Sequence, residues 1–265
     1  MPTLRYYLRL YFLIESQYIK SRLQYRTDFI ISTIGMLFTS SATIFVFWVL
    51  FATIPDLAGW SFEEIVFFYG FYSLAVVPLQ LFFDHIWMLR YHVQDGTFIK
   101  YYLRPLNTMF YYMSEMVDIK AISQLALGLV TLIYASVKMG IQWTPMRLIL
   151  LLALLLGASL VAISILVIAA CTAFWVIGSY SVLALALKIR DFAPYPITIF
   201  DGFFRFLFTY LIPIGFVAFY PAQLFLNPQD APLLAYASPL VGIGLFAVAY
   251  AVWNKGINTY TGTGS

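Results

Sequence analysis

Long stretches without one ionisable side chain constrain this chain more than any other feature. Residues 29–55, 65–83, 121–137, 148–187, 206–229 and 231–254 contain no Asp, Glu, Lys or Arg. Roughly 20 apolar residues cross the hydrocarbon of a bilayer as a helix, so each stretch can hold a membrane span. Soluble domains carry about 25% charged residues, against 10% here. The expected fold class is therefore an all-α membrane protein with six transmembrane helices. A net charge of +3 is then no sign of nucleic acid, because in such a chain the placement of Lys and Arg carries the information.

That placement sets the orientation. The segment before the first span holds Arg5, Arg9, Lys20, Arg22 and Arg26, and residues 84–107 hold Arg90, Lys100 and Arg104. Residues 56–64 hold Asp56, Glu63 and Glu64 and no base. By the positive-inside rule both termini are cytoplasmic. Residues 1–28 read as an amphipathic helix in the membrane interface, with Arg5, Arg9, Ser16 and Lys20 on one stripe. They lack the pattern of a signal peptide. Residues 29–265 form the six-span domain.

Two stretches resist a simple reading. Residues 148–187 are too long for one span, and are expected to run as a helix to about Phe174 and then as an interfacial helix reaching Lys188 and Arg190. Splitting them between Gly178 and Ser179 would put Lys188, Arg190 and Lys255 outside. Residues 191–227 carry Pro194, Pro196, Pro213 and Pro221 with Gly202 and Gly215. Broken helices survive at membrane depth only where protein or a wet cavity satisfies the freed backbone groups. A re-entrant hairpin at residues 212–228, with Pro213, Phe216, Tyr220 and Pro221, accommodates both the prolines and the surplus length.

Few motifs carry chemistry. No GxxxxGK[ST] occurs, so the chain does not bind nucleotide through a P-loop. GxSxG, HExxH and CxxC are absent too. Cys171 stands alone in an apolar run, which excludes an intrachain disulfide. Asp84, His85, His92 and Asp95 could ligate a metal, or could simply face water on an amphipathic helix. Asp201 and Arg205 have the spacing of an intrahelical ion pair, either anchoring a helix or gating. Glu63, Glu64, Glu115 and Asp118 suit helix starts, where acids complement the dipole.

The run GTFIKYYLRPLN from Gly96 to Asn107 resembles the first cytoplasmic loop of ABC-2 family permeases, in particular a bacterial subfamily of about this length. The stretch YPITIFDGFFRFLFTYLIPIGFVAFYPA from Tyr195 and the ending WNKGINTYTGTGS from Trp253 agree with it in order. One departure is Ile99, where the family often has an acid. The resemblance implies a transmembrane subunit of an ATP-binding cassette exporter in the bacterial cytoplasmic membrane. Its partners would be two separate P-loop ATPase subunits, which bind the ATP and Mg, and a second permease, identical or a sister chain. No cofactor is implied in this chain. The loop at residues 84–112 would carry the coupling helix, with Arg90, Gly96, Lys100, Arg104 and Pro105 as coupling residues. The hairpin would lie at the outer mouth. An aromatic, charge-poor interior suits an amphipathic or hydrophobic substrate. The rival classes are a membrane enzyme with Asp84, His85 and His92 in an interfacial site, and a secondary transporter. The second would need ionisable groups at the midplane, and the first three spans hold none.

Overall fold

In hydrocarbon a helix satisfies its own N–H and C=O groups, and the apolar stretches fold accordingly. The computed structural model of the protein describes residues 9–11, 13, 14, 16, 20 and 26–261. Among them are α1 (Arg26–Thr53), α2 (Phe62–Ala75), α3 (Val77–Phe83), α4 (Leu89–Gln94), α5 (Ile99–Tyr102) and α6 (Thr108–Met113). These are followed by α7 (Ala121–Lys138), α8 (Pro145–Cys171), α9 (Ser179–Arg190), α10 (Gly202–Phe206), α11 (Phe219–Leu226) and α12 (Leu233–Thr259). The described residues form no sheet. Five stretches are long and apolar enough to cross a membrane: Thr33–Thr53, Phe62–Gln94, Ala121–Lys138, Pro145–Phe174 and Leu233–Thr259. A broken pair, Gly202–Leu211 and Ile214–Leu226, bends by 72°. The fold is thus all-α, with five or six candidate spans.

The second span begins where its sequence says it should. The Ser61 hydroxyl accepts from the Glu64 N–H (3.4 Å) while the Ser61 N–H donates to the Glu64 carboxylate (2.8 Å). Such a capping box satisfies two orphan donors and stabilises a helix start by about 1 kcal/mol. The interruption at Val76 lets Pro78 sit in the first turn of α3, where its missing N–H leaves no hydrogen bond unmade. Helix then continues through a 3₁₀ turn at Asp84–Met88 into α4, so residues 84–94 prolong the span before the loop proper begins.

Tight packing centres on glycines. A Cβ at Gly242 would lie 2.3 Å from Gly157 O, and one at Gly157 would lie 2.6 Å from Pro239 Cα. Backbone therefore touches backbone where α8 crosses α12, the arrangement by which membrane helices gain van der Waals contact. Gly70 does the same for α2 against α7, 2.7 Å from Leu132 N. By contrast α1 leans on the bundle mainly through Phe47 and leaves Ile30, Ile31, Phe38, Phe45 and Trp48 exposed.

Aromatic rings mark the two ends of the bundle. At one end Phe98 meets Phe174, Trp253 and Tyr260. At the other Trp60 meets Phe68 and Phe219, and Trp143 meets Phe225. α8 and the 3₁₀ turn that prolongs it end at Phe174 as expected, and the helix that follows, α9, buries only Ser179, Leu183 and Ala186. The chain turns at residues 175–178, packs back along α8, and its sequel reaches Thr198, whose hydroxyl accepts from Trp60 Nε1 (2.7 Å). Residues 179–198 therefore lead from the Phe98 end to the Trp60 end. The broken pair starts there, since Arg205 donates to Phe200 O (2.7 Å) and Thr198 O (2.5 Å). Its turn at Ile212 and Pro213 reaches Ile165, Ile168 and Leu245, and α11 returns to Trp60 and Trp143.

If the α8–α12 contact holds the bundle together, Gly242→Leu destabilises the folded protein in detergent by about 1–3 kcal/mol or more. Gly244→Ala, where a Cβ meets nothing within 4 Å, does not lower the melting temperature and raises it slightly, since alanine favours a helix interior over glycine.

Candidate functional site

A helix that ends on a left-handed glycine can reverse within a few residues. α4 does so at Gly96 (φ +73°), a conformation that is free for glycine and costs other residues. The Phe98 N–H then donates to His92 O (2.8 Å), and the Tyr260 hydroxyl donates to Gly96 O (3.0 Å). The reversal drives Phe98, fully buried, into a nest of rings. Tyr101 and Tyr112 lie 5.5 and 6.3 Å from it, and Phe174, Trp253 and Tyr260 lie 5.2, 6.1 and 5.3 Å away. Offset and edge-on ring pairs each add about 0.5–1.5 kcal/mol beyond burial. Through this nest the loop is fastened to the ends of α8 and α12 as well as to its own span.

The opposite side of the same loop is open. Ile99, Lys100, Tyr102, Leu103, Arg104 and Pro105 are exposed, Leu103 by 74%. Lys100 Nζ is 2.8 Å from Glu115 Oε1, and the Tyr101 hydroxyl donates to the other carboxylate oxygen. Glu115, expected at a helix start, is instead the anchor of α5. Asp118 does serve the start of α7, accepting from the Lys120 N–H (3.1 Å). Arg104 lies over the Tyr111 ring at 5.6 Å with no ion pair among the described residues. Asn107 caps α6, accepting from the Phe110 N–H (2.9 Å), and donates to the Tyr250 hydroxyl (2.6 Å).

The five expected coupling residues do not all share this surface. Lys100, Arg104 and Pro105 belong to it, and Gly96 makes the turn behind it. Arg90 lies apart, its guanidinium 4.1 Å from the Tyr91 ring centre and 4.4 Å from that of Tyr180. With Gln94 Nε2 donating to Ile177 O (2.9 Å), it clamps α4 onto the turn before α9. Sequence reasoning gave no role to Phe98, Trp253 and Tyr260, although all three lie in the runs that carry the family resemblance.

The remaining candidates fall elsewhere. His85 is buried and donates from Nε2 to Tyr112 O (2.8 Å), and His92 shares a hydrogen bond with Thr97 Oγ1 (3.0 Å). Burial pushes the Tyr112 phenol above its ordinary range, so it stays protonated and donates to His85 O (3.3 Å). No group of three or more His, Cys, Asp or Glu among the described residues could hold a metal. The expected Asp201–Arg205 pair is not formed. Asp201 caps α10, accepting from the Phe204 N–H (3.0 Å), while Arg205 serves backbone carbonyls at the Trp60 end. Pro213, Phe216, Tyr220 and Pro221 are all buried. Tyr220 shares a hydrogen bond with Thr209 (2.8 Å) across the two limbs of the broken pair and lies 4.7 Å from the Phe216 ring. Arg9 and Lys20 are exposed on helical residues, with Tyr11 against Phe82 and Phe110. Arg5 lies outside the described residues.

Comparison with known proteins gives one match. The family described as ABC-2 family transporter protein matches residues 37–264. No curated protein and no solved structure matches the chain. Matched over most of its length, this multi-pass integral membrane protein belongs to the ABC-2 transporter family.

Proposed function

We propose that the chain is the permease subunit of an ATP-driven exporter, and that the face of Ile99, Lys100, Tyr102, Leu103, Arg104 and Pro105 receives the movement of a separate P-loop ATPase. One observation carries this reading. The loop is locked on one side into the ring nest that joins the ends of three spans, and on the other presents apolar and basic side chains to solvent. A push on that face is transmitted to α4, α8 and α12 together, because packed aromatic contacts rearrange as units rather than stretch. Two ATPase subunits holding ATP and Mg, and a second permease, identical or a sister chain, complete the complex. Such coupling requires that the two conformations differ in contact free energy with the ATPase.

The chain path supports six crossings in the bacterial cytoplasmic membrane, with both termini in the cytoplasm. The fifth crossing is residues 179–198 rather than 206–229. The broken pair then enters and leaves from the outer face, which keeps Lys255 inside as the charge rule asks. On this reading the hairpin begins at Gly202, earlier than the expected residue 212, and lies at the outer mouth of the path. An apolar, aromatic interior fits export of an amphipathic or hydrophobic molecule.

Arg104 is the cleaner probe of the face, because replacing Lys100 also breaks its bond to Glu115. In vesicles holding the native complex, Arg104→Glu combined with Leu103→Asp lowers ATP-driven transport by about tenfold or more, with the amount of permease in the membrane unchanged. Transport at the wild-type rate would remove this face from the assignment. For topology, Gly202→Cys and Gln229→Cys react with an impermeant thiol reagent from outside, and Ile177→Cys from the cytoplasm. Labelling of Gly202→Cys from the cytoplasm alone would overturn the re-entrant path.

A further inference from the structure

An apolar cleft in a membrane protein selects a ligand only if it offers something that the bilayer lacks. Such a cleft, of about 380 Å³, lies between the N-terminal segment, the end of α3, α6 and the latter half of α12. Tyr11, Phe82, Phe110 and Phe246 supply rings to its wall, and Met109 and Met113 supply thioethers. No Asp, Glu, Lys, Arg or His is among the described residues that line it. An aliphatic chain gains little by entering, because the surrounding lipid is as apolar as leucine. An ion is disfavoured, because no opposite charge would offset its desolvation. A flat aromatic ring does gain, through ring–ring and sulfur–ring contacts that a saturated lipid tail cannot supply. The wall already shows that geometry: Tyr11 stands edge-on to Phe82 at 6.2 Å and is tilted against Phe110 at 6.4 Å.

Polar chemistry enters this wall at one point. The Tyr250 hydroxyl, part of the lining, accepts from Asn107 Nδ2 (2.6 Å), which leaves its own proton to donate to an oxygen of a ligand. Ser114, the other hydroxyl of an aliphatic side chain in the lining, already donates to Phe110 O (2.7 Å). Asn107 in turn caps α6 through the Phe110 N–H (2.9 Å) and follows Pro105 by two residues. A group bound to Tyr250 is therefore one hydrogen bond away from the helix start that follows the exposed face of the loop.

We infer that this cleft binds an uncharged aromatic compound with a hydrogen-bond acceptor, such as an aromatic ketone or ester. Its rings lie among Phe82, Phe110 and the two methionines, and its acceptor meets Tyr250. The inference rests on the exporter reading and names its substrate class. It also gives the ligand a place beside α6, on the segment that carries the loop face.

The test uses the purified full chain in phosphatidylcholine nanodiscs and 4-butylbenzophenone, an uncharged aromatic ketone that inserts into nearby C–H bonds on irradiation. Mass spectrometry of the digest is expected to find the label at Met109 or Met113 in preference to Met146, which is 74% exposed. Analogues that cannot insert then compete at equal concentrations in the bilayer. An uncharged aromatic ester competes at least about tenfold better than the same ring system bearing a carboxylate or a trimethylammonium group. It also competes better than 4-butyldiphenylmethane, which has no oxygen, and Tyr250→Phe removes that advantage. Equal competition by the uncharged, anionic and cationic analogues in the wild type overturns the proposal, and that comparison needs no variant to fold. Label spread evenly over the exposed residues of the spans would remove the cleft as the site. Competition by methyl decanoate as strong as by the aromatic ester would make the cleft a groove for lipid tails and sink the aromatic ligand. An advantage of the ester that survives Tyr250→Phe contradicts the assigned hydrogen bond. Binding is read without any ATPase. Native vesicles that show ATP-driven transport while the analogues fail to discriminate would refute this site alone, and discriminating analogues with no ATP-driven transport would refute the exporter reading alone.

Discussion

Where α8 crosses α12 no side chain separates the two backbones, and the rest of the molecule is arranged around that contact. Lipid offers helices no hydrophobic reason to associate, since a hydrocarbon tail is as apolar as leucine, so close approach must supply the attraction. Gly157 and Gly242 allow it. From this crossing α8 and α12 run on to a common end, where Phe174 and Trp253 lie 6.0 Å apart and together receive Phe98. The loop that faces outward from the bundle is therefore seated on the same two helices that form its spine.

A second constraint explains the irregular half. Pro194, Pro196, Pro213 and Pro221 remove backbone donors and break helices, and lipid cannot satisfy what is exposed. The structure answers by burying all four prolines in protein, although Gly202–Phe206 in the first limb holds no buried residue. Phe192 stacks on Phe208 at 6.0 Å, and Thr209 joins Tyr220. The ascending and descending limbs thus shield each other. The same irregularity shortens α9 to twelve residues.

Much of this was legible in one dimension, and the failures have physical causes. The stretch expected at 121–137 is α7, and the one expected at 231–254 overlaps α12 from Leu233 onward, because a charge-free run of membrane length has one way to satisfy its backbone. Glu63 and Glu64 were expected at a helix start for the dipole, and Glu64 does more, closing an unforeseen capping box with Ser61. Residues 206–229 fall in a helix pair bent by 72°, and hydropathy and length alone do not tell a bent span from two limbs that meet and return. Arg90 was grouped with Lys100 and Arg104 by loop membership, yet Gly96 lies between them and turns the chain, so Arg90 ends against Tyr180 instead. Asp201 and Arg205 have the spacing of a pair, but Asp201 sits at an N-cap whose open N–H groups take its carboxylate first.

By itself the amino-acid sequence determined that this chain lies in a membrane, where most of its helices begin and end, and which loop is basic. Those follow from transfer free energies and local hydrogen bonding, which act over a few residues. Which end of the bundle residues 179–198 reach and which ring nest receives Phe98 were decided only by tertiary structure. Each depends on residues far apart in sequence, such as Trp60 with Thr198 or Gly96 with Tyr260, and pairing over that distance leaves no periodic trace in the chain.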